Sequence, residues 1–197
     1  WMGAPTAVAA VFAGLDDAVP FLGMPFAKVG RRLPALYGLL PKADAYPSDF
    51  VLLKTPIKEY HVSDLVDALL ELGLPNPKER LRIATQPFAP WNDRYDGIPQ
   101  FAVHQVYTTD LSTLGTMSFK NDFKYHPEGD EGEWDPPTYH FIEGDGTVPA
   151  TSLEYPLAKW RAAGADVRTT KLHNVDHVHI VSNPKFIDII LGYACNN

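Results

Sequence analysis

Cysteine occurs once among the 197 residues, at Cys195, so no internal disulfide can form and the redox compartment is left open. Long apolar runs are missing as well: nothing approaches the roughly eighteen uninterrupted apolar residues that a membrane span requires. Basic blocks are also scarce. Lys and Arg total 17 against 24 Asp and Glu, a net charge of −7, and this balance argues against a nucleic-acid surface. One further absence concerns chemistry. Ser48, Ser63, Ser112, Ser118, Ser152 and Ser182 all lack the small-residue G-x-S-x-G setting in which a serine is exposed on a sharp strand-to-helix turn.

What is present is a chain 45% hydrophobic and 21% charged, enough apolar material for one globular domain with a sizeable core. Two stretches organise it. Gly144-Asp145-Gly146-Thr147-Val148-Pro149 follows the apolar run Tyr139-His140-Phe141-Ile142, which reads as an acid at the tip of a strand. His173-Asn174-Val175-Asp176-His177-Val178-His179 follows a second strand-like run at residues 167–172. A serine hydroxyl needs an imidazole to take its proton, and that imidazole needs a fixed carboxylate to set its tautomer. Asp145 and His177 fit the last two roles in the order nucleophile, acid, histidine. Asp145 could instead close a local turn on its own backbone.

Along the chain, Gly3-Ala4-Pro5 punctuates a strand end, and residues 6–47 are apolar without a sustained period. Such a stretch suits a lid, with Phe21, Leu22, Met24 and Phe26 as candidates for contact with an apolar substrate, or a plain packed excursion. Ser63 caps an expected helix through Leu72, and Asn76-Pro77 opens another through Ile83. Residues 101–109 read as a strand and 110–137 as a polar, turn-rich segment whose acids, around residues 126–133, lack the spacing of a calcium loop. Thr151-Ser152 caps a helix broken or restarted at Pro156, and Asn183-Pro184 opens a last helix with Phe186, Ile187, Ile190 and Leu191 as its stripe, closed by Gly192. Strands separated by helices imply an α/β fold with a doubly wound, mostly parallel sheet. Zinc is a competing use of His173, His177 and His179, but neither H-x-H-x-D-H nor H-E-x-x-H order is present, and we expect no metal and no cofactor.

With these residues in view the chain resembles the lecithin:cholesterol acyltransferase family of α/β-hydrolases, which includes phospholipid:diacylglycerol acyltransferases. Glu143-Gly144-Asp145-Gly146-Thr147-Val148-Pro149-Ala150-Thr151-Ser152-Leu153 is similar to that family's acid motif, and Asp176-His177-Val178-His179-Ile180-Val181-Ser182-Asn183 to its histidine motif. Gly3-Ala4-Pro5 is similar to the end of its sixth strand, Leu33-Pro34-Ala35-Leu36-Tyr37-Gly38-Leu39-Leu40-Pro41 to the segment after its lid, and Val106-Tyr107-Thr108-Thr109 to its seventh-strand turn. Thr6 departs from the pattern, standing where the family often has a bulky residue.

The resemblance implies that residues 1–197 are the C-terminal part of an α/β-hydrolase domain, with a lid or cap over about residues 6–60 and the acid and histidine half over residues 100–197. It implies Asp145 as triad acid and His177 as base, a lipid ester as substrate, and a partner in the N-terminal half of the same domain, which would hold the serine and the oxyanion donors. Contact with a lipid surface follows from the same likeness. The chain by itself is then expected to be inactive for want of a nucleophile. A non-catalytic α/β module that binds an apolar ligand or a partner is the alternative.

Overall fold

The computed structural model describes residues 3–12, 34–85, 101–121 and 137–195. The lid candidates Phe21, Leu22, Met24 and Phe26 and the acidic segment 126–133 lie outside them. The described elements run α1 (Pro5–Phe12), α2 (Pro34–Gly38), β1 (Val51–Lys54), β2 (Glu59–His61), α3 (Leu65–Glu71), α4 (Pro77–Thr85), β3 (Val103–Tyr107), β4 (Leu111–Ser118), β5 (Thr138–Gly144), α5 (Ala150–Ala162), β6 (Val167–Lys171) and α6 (Pro184–Cys195). Helices and strands interleave as an α/β class requires. Among the described residues no helix is long and apolar enough to cross a membrane.

The sheet is more mixed than the sequence pattern implies. One sheet has the order β2-β1-β4-β5 and a second pairs β3 with β6. β1 with β4 and β3 with β6 are parallel, whereas β1 with β2 and β4 with β5 are antiparallel. The antiparallel pairs arise from elements that sequence patterning does not reveal. Residues 51–61, inside the expected insertion, form β1 and β2, and residues 111–118, expected as polar loop, form β4.

Burial explains why β4 exists despite its composition. Thr113, Leu114, Gly115 and Met117 are buried, so the strand presents small and polar residues to the interior. Leu53 of β1 pairs with Met117, both with no exposed surface, and with Val8, Leu52, Leu69 and Leu72 they belong to the larger core cluster. Burying side chains of this size contributes about 1.5–3 kcal/mol each. A smaller cluster of Ala4, Tyr107, Val148, Leu153 and Leu157 lies where β3 and β6 meet α5.

Two helix starts fall at the expected Asn-Pro pairs, and the other boundaries differ from expectation in informative ways. α4 begins at Pro77, where a missing N–H costs nothing, and α6 begins at Pro184 behind Asn183, whose Oδ1 accepts the Lys185 amide hydrogen at 3.0 Å. Asp64 rather than Ser63 is the residue flanking α3, and its side chain makes no cap bond to that helix but accepts the His61 amide at 2.9 Å, at the start of a short 3₁₀ turn at Val62–Asp64. α5 takes Pro149, not Thr151 or Ser152, as its first flanking residue, and runs unbroken through Pro156. Pro156 is buried there, as are Leu153 and Leu157, and the burial of this face works against the cost of the missing backbone bond. α6 continues past Gly192 to Cys195.

These connections decide where the loops meet. β3 and β6 are parallel from Val103↔Val167 to Tyr107↔Lys171, so their C-terminal ends share one edge. β4 starts four residues after β3, and its first residue bridges Asp145, at the end of β5. The loops after β3, β5 and β6 therefore converge.

Candidate active site

Asp145 leaves β5 into a tight turn whose geometry is set by the glycines around it. Gly144 pairs with Leu111 so closely that a β-carbon there would stand 2.4 Å from both Thr113 Oγ1 and the Val148 carbonyl oxygen. Gly146 sits at φ +87°, a left-handed conformation that L side chains rarely adopt. The turn closes with the Asp145 amide donating to the Val148 carbonyl at 3.1 Å. Asp145 Oδ1 in return accepts the amide hydrogens of Thr147 at 3.0 Å and Val148 at 2.7 Å. Thr6 donates its hydroxyl to the Thr147 carbonyl at 2.9 Å and so ties α1 to this turn.

The local turn and a long-range contact coexist, one oxygen serving each. With Oδ1 held by backbone, Oδ2 faces His177 Nδ1 at 2.7 Å. The His177 amide also donates to the Asp145 carbonyl at 2.9 Å, so backbone and ring are both docked on the same residue. Asp145 is 5% exposed while the His177 side chain is 37% exposed, an acid inside and a ring at the rim. Because a carboxylate only accepts, Nδ1 carries the proton and Nε2 is the basic nitrogen of the neutral ring. The hydrogen bond to Asp145 raises the His177 pKa above its ordinary 6.5; burial works against this, and the charges of Asp145 and Asp176 add to it.

The neighbouring histidines turn to different carboxylates. His173 Nδ1 meets Asp110 Oδ2 at 3.1 Å, and His179 Nδ1 meets Asp176 Oδ2 at 2.7 Å. Asp176 also accepts the amides of Val178 and His179, which starts the 3₁₀ turn at His179–Ser182. His173, His177 and His179 thus do not converge on one point, and among the described residues no group of three or more His, Cys, Asp or Glu is placed to hold a metal ion.

No protein-family model and no curated protein matches the chain. The case for the site rests on its own geometry. Among the serines, Ser118 bonds His140 Nε2 across β4 and β5 at 2.8 Å, Ser182 donates to the His179 carbonyl at 3.0 Å, and Ser152 is wholly buried beside Tyr46. Sequence patterning brings out Asp145 and His177 but not Thr113 or Asp110, whose partners here lie 33 and 63 residues away along the chain.

Proposed function

We propose that Asp145 and His177 are the acid and base of a serine O-acyltransferase or esterase that acts on lipid esters, with the serine on polypeptide outside this sequence. The observation that carries this reading is the pairing of a backbone-braced, buried carboxylate with the Nδ1 side of a partly exposed imidazole at 2.7 Å. Such a pair orients the ring so that Nε2 takes the proton of an attacking serine hydroxyl, and Asp145 stabilises the imidazolium that forms. The imidazolium then gives its proton to the departing alkoxide, and an acyl-enzyme remains. His177 next takes a proton from an alcohol, for transfer, or from water, for hydrolysis, and the serine is released. The resemblance to the lecithin:cholesterol acyltransferase family, in a doubly wound hydrolase fold with a lid, supports the lipid ester as substrate.

A second feature supports a nucleophile on polypeptide outside this sequence. α6 has no buried residue, and Ile187, Ile190, Leu191 and Tyr193 are each at least two-fifths exposed. β3, beneath it, is paired on one side only among the described residues, with β6. An apolar helix face beside an open strand edge is what a further strand and its helices would cover. The same face favours the alternative, a non-catalytic module that binds an apolar ligand there.

A serine-reactive fluorophosphonate probe separates the two. We expect no labelling of the 197-residue chain, labelling of a longer product of the same gene, and loss of turnover on Asp145→Asn or His177→Ala in that product. Unchanged turnover in both variants would overturn the assignment.

A further inference from the structure

We propose that Asp110 is a positioning residue for His177, fixing the start of the histidine loop while Asp145 fixes its end. This rests on the acid and base roles proposed above. β3 and β6 stop together, and the Leu172 amide donates to the Tyr107 carbonyl at 2.8 Å as the last rung between them. From there the two chains part, and Asp110 rejoins them. Its Oδ2 accepts from His173 Nδ1 at 3.1 Å, its Oδ1 from the Thr108 hydroxyl at 2.5 Å, and both oxygens lie within reach of the Asn174 amide, at 3.2 and 3.3 Å.

Asn174 has φ +53°, the left-handed conformation that reverses the chain just after β6. Three residues on, the His177 amide reaches the Asp145 carbonyl. The loop is therefore pinned at both ends by carboxylate-bearing residues, with the left-handed residue held at the first pin. Asp110 also touches the other half of the pair through the backbone: its neighbour Leu111 bridges Asp145. One side chain thus sets the distance between the loop that carries the base and the turn that carries the acid. The Thr108 hydroxyl foremost, then His173 and the Asn174 amide, hold the Asp110 carboxyl below its ordinary range, so the pin stays charged wherever His177 titrates.

A positioning error of a fraction of an ångström loosens a short charge-assisted bond before it unfolds anything. The test is nuclear magnetic resonance on the 197-residue chain, wild type against Asp110→Ala and Asp110→Asn. It follows the far-downfield His177 Nδ1 proton and the His177 titration midpoint, with α3 and β1 amides as the report on folding. We expect wild type to show the downfield proton and a midpoint above 6.5. In Asp110→Ala the proton should broaden or vanish and the midpoint fall by about half a unit or more, roughly a threefold loss of proton affinity, while α3 and β1 signals stay in place. If Asp110→Ala fails to fold, Asp110→Asn, which keeps an oxygen for Thr108 and Asn174 but no charge for His173, is judged by the same two signals. A variant with wild-type His177 signals and changes confined to residues 108–110 and 173–174 would overturn the positioning role and leave the proposed function standing. Absence of both signals in wild type would overturn the Asp145–His177 pair itself, and the proposed function with it.

Discussion

The hydroxyl of Thr113, on β4, accepts the amide hydrogen of Gly146 at 2.8 Å and donates to the carbonyl of Leu111 at 3.2 Å. The side chain has no exposed surface. A buried strand residue therefore holds the turn that aims Asp145, and the polarity that hides β4 from pattern reading is what the turn uses.

Replacing Thr113 by Val keeps the branched shape and deletes both bonds. Leaving the Gly146 amide and the Leu111 carbonyl without this partner in a buried setting costs about 1–3 kcal/mol. At this chain length that lowers the melting temperature by roughly 2–4 °C per kcal/mol. Urea or thermal unfolding measures it, with Thr113→Ser as the control expected close to wild type.

Two glycine-to-alanine changes should move stability in opposite directions. At Gly144 the new methyl would meet Thr113 Oγ1 and the Val148 carbonyl at 2.4 Å, so the strand or the turn must shift, at a cost near the upper end of the usual 1–3 kcal/mol for overpacking. At Gly192, inside α6 with nothing within 4 Å of the added carbon, the helix preference of alanine should add about 0.5–1 kcal/mol. Unfolding curves for the two variants decide it. A destabilised Gly192→Ala would mean that the α6 backbone is not the helix described.

Part of this was legible in the sequence, for identifiable reasons. β3 and β6 carry β-branched runs, β5 an aromatic and apolar one, and α4 and α6 open on Asn-Pro, signals that act within a few residues. β1 escapes because Leu52 and Leu53 are both buried, so it shows no alternation, and β2 is three residues long. β4 escapes because its inward residues include Thr113 and Gly115, which resemble a loop until the turn they support is placed against them. The partners of the Asp145–His177 contact were legible because a glycine-flanked acid after a strand and a histidine cluster after another are local signals. Asp110 was not, since nothing near it in sequence announces His173 or Asn174.

The Asp145–His177 bond makes a pH signature with a definite sign. The folded pKa of His177 is raised, so the stability this bond contributes is fully present below the unfolded value near 6.5 and is lost as pH rises through the folded value. Asp145→Asn removes the largest cause of the shift and should bring the midpoint down to 6.5 or lower, because the burial that opposes protonation stays. Under the proposed function the neutral ring is the base of a longer product, so its turnover should rise with pH through the raised midpoint. There Asn at position 145 should cost on the order of 10⁴ in kcat, the size seen when the acid of a serine triad becomes an amide. A midpoint that is the same in wild type and Asp145→Asn would show that the 2.7 Å contact does not persist in solution.

The α6 face separates a surface that waits for a partner from one that is merely apolar. Phe186 and Ile189 are half-buried on its inner side, and Tyr193 moors it to β3 through a 2.9 Å bond to His104 Nδ1, so the exposed Ile187 and Ile190 are not what keeps the helix in place. Exposed substitutions that break no contact usually change stability by less than about 0.5 kcal/mol. Ile187→Lys with Ile190→Lys should therefore leave the melting temperature of this chain nearly unchanged. If nucleophile-bearing polypeptide covers that face, the same pair buries two ammonium groups in the joint, and co-expression of the two portions should lose at least about tenfold in reconstituted activity, equivalent to 1.4 kcal/mol or more of association energy. Equal reconstitution by wild type and the double variant would place the partner elsewhere. A large drop in the melting temperature of the isolated chain would instead show that Ile187 and Ile190 already support the fold.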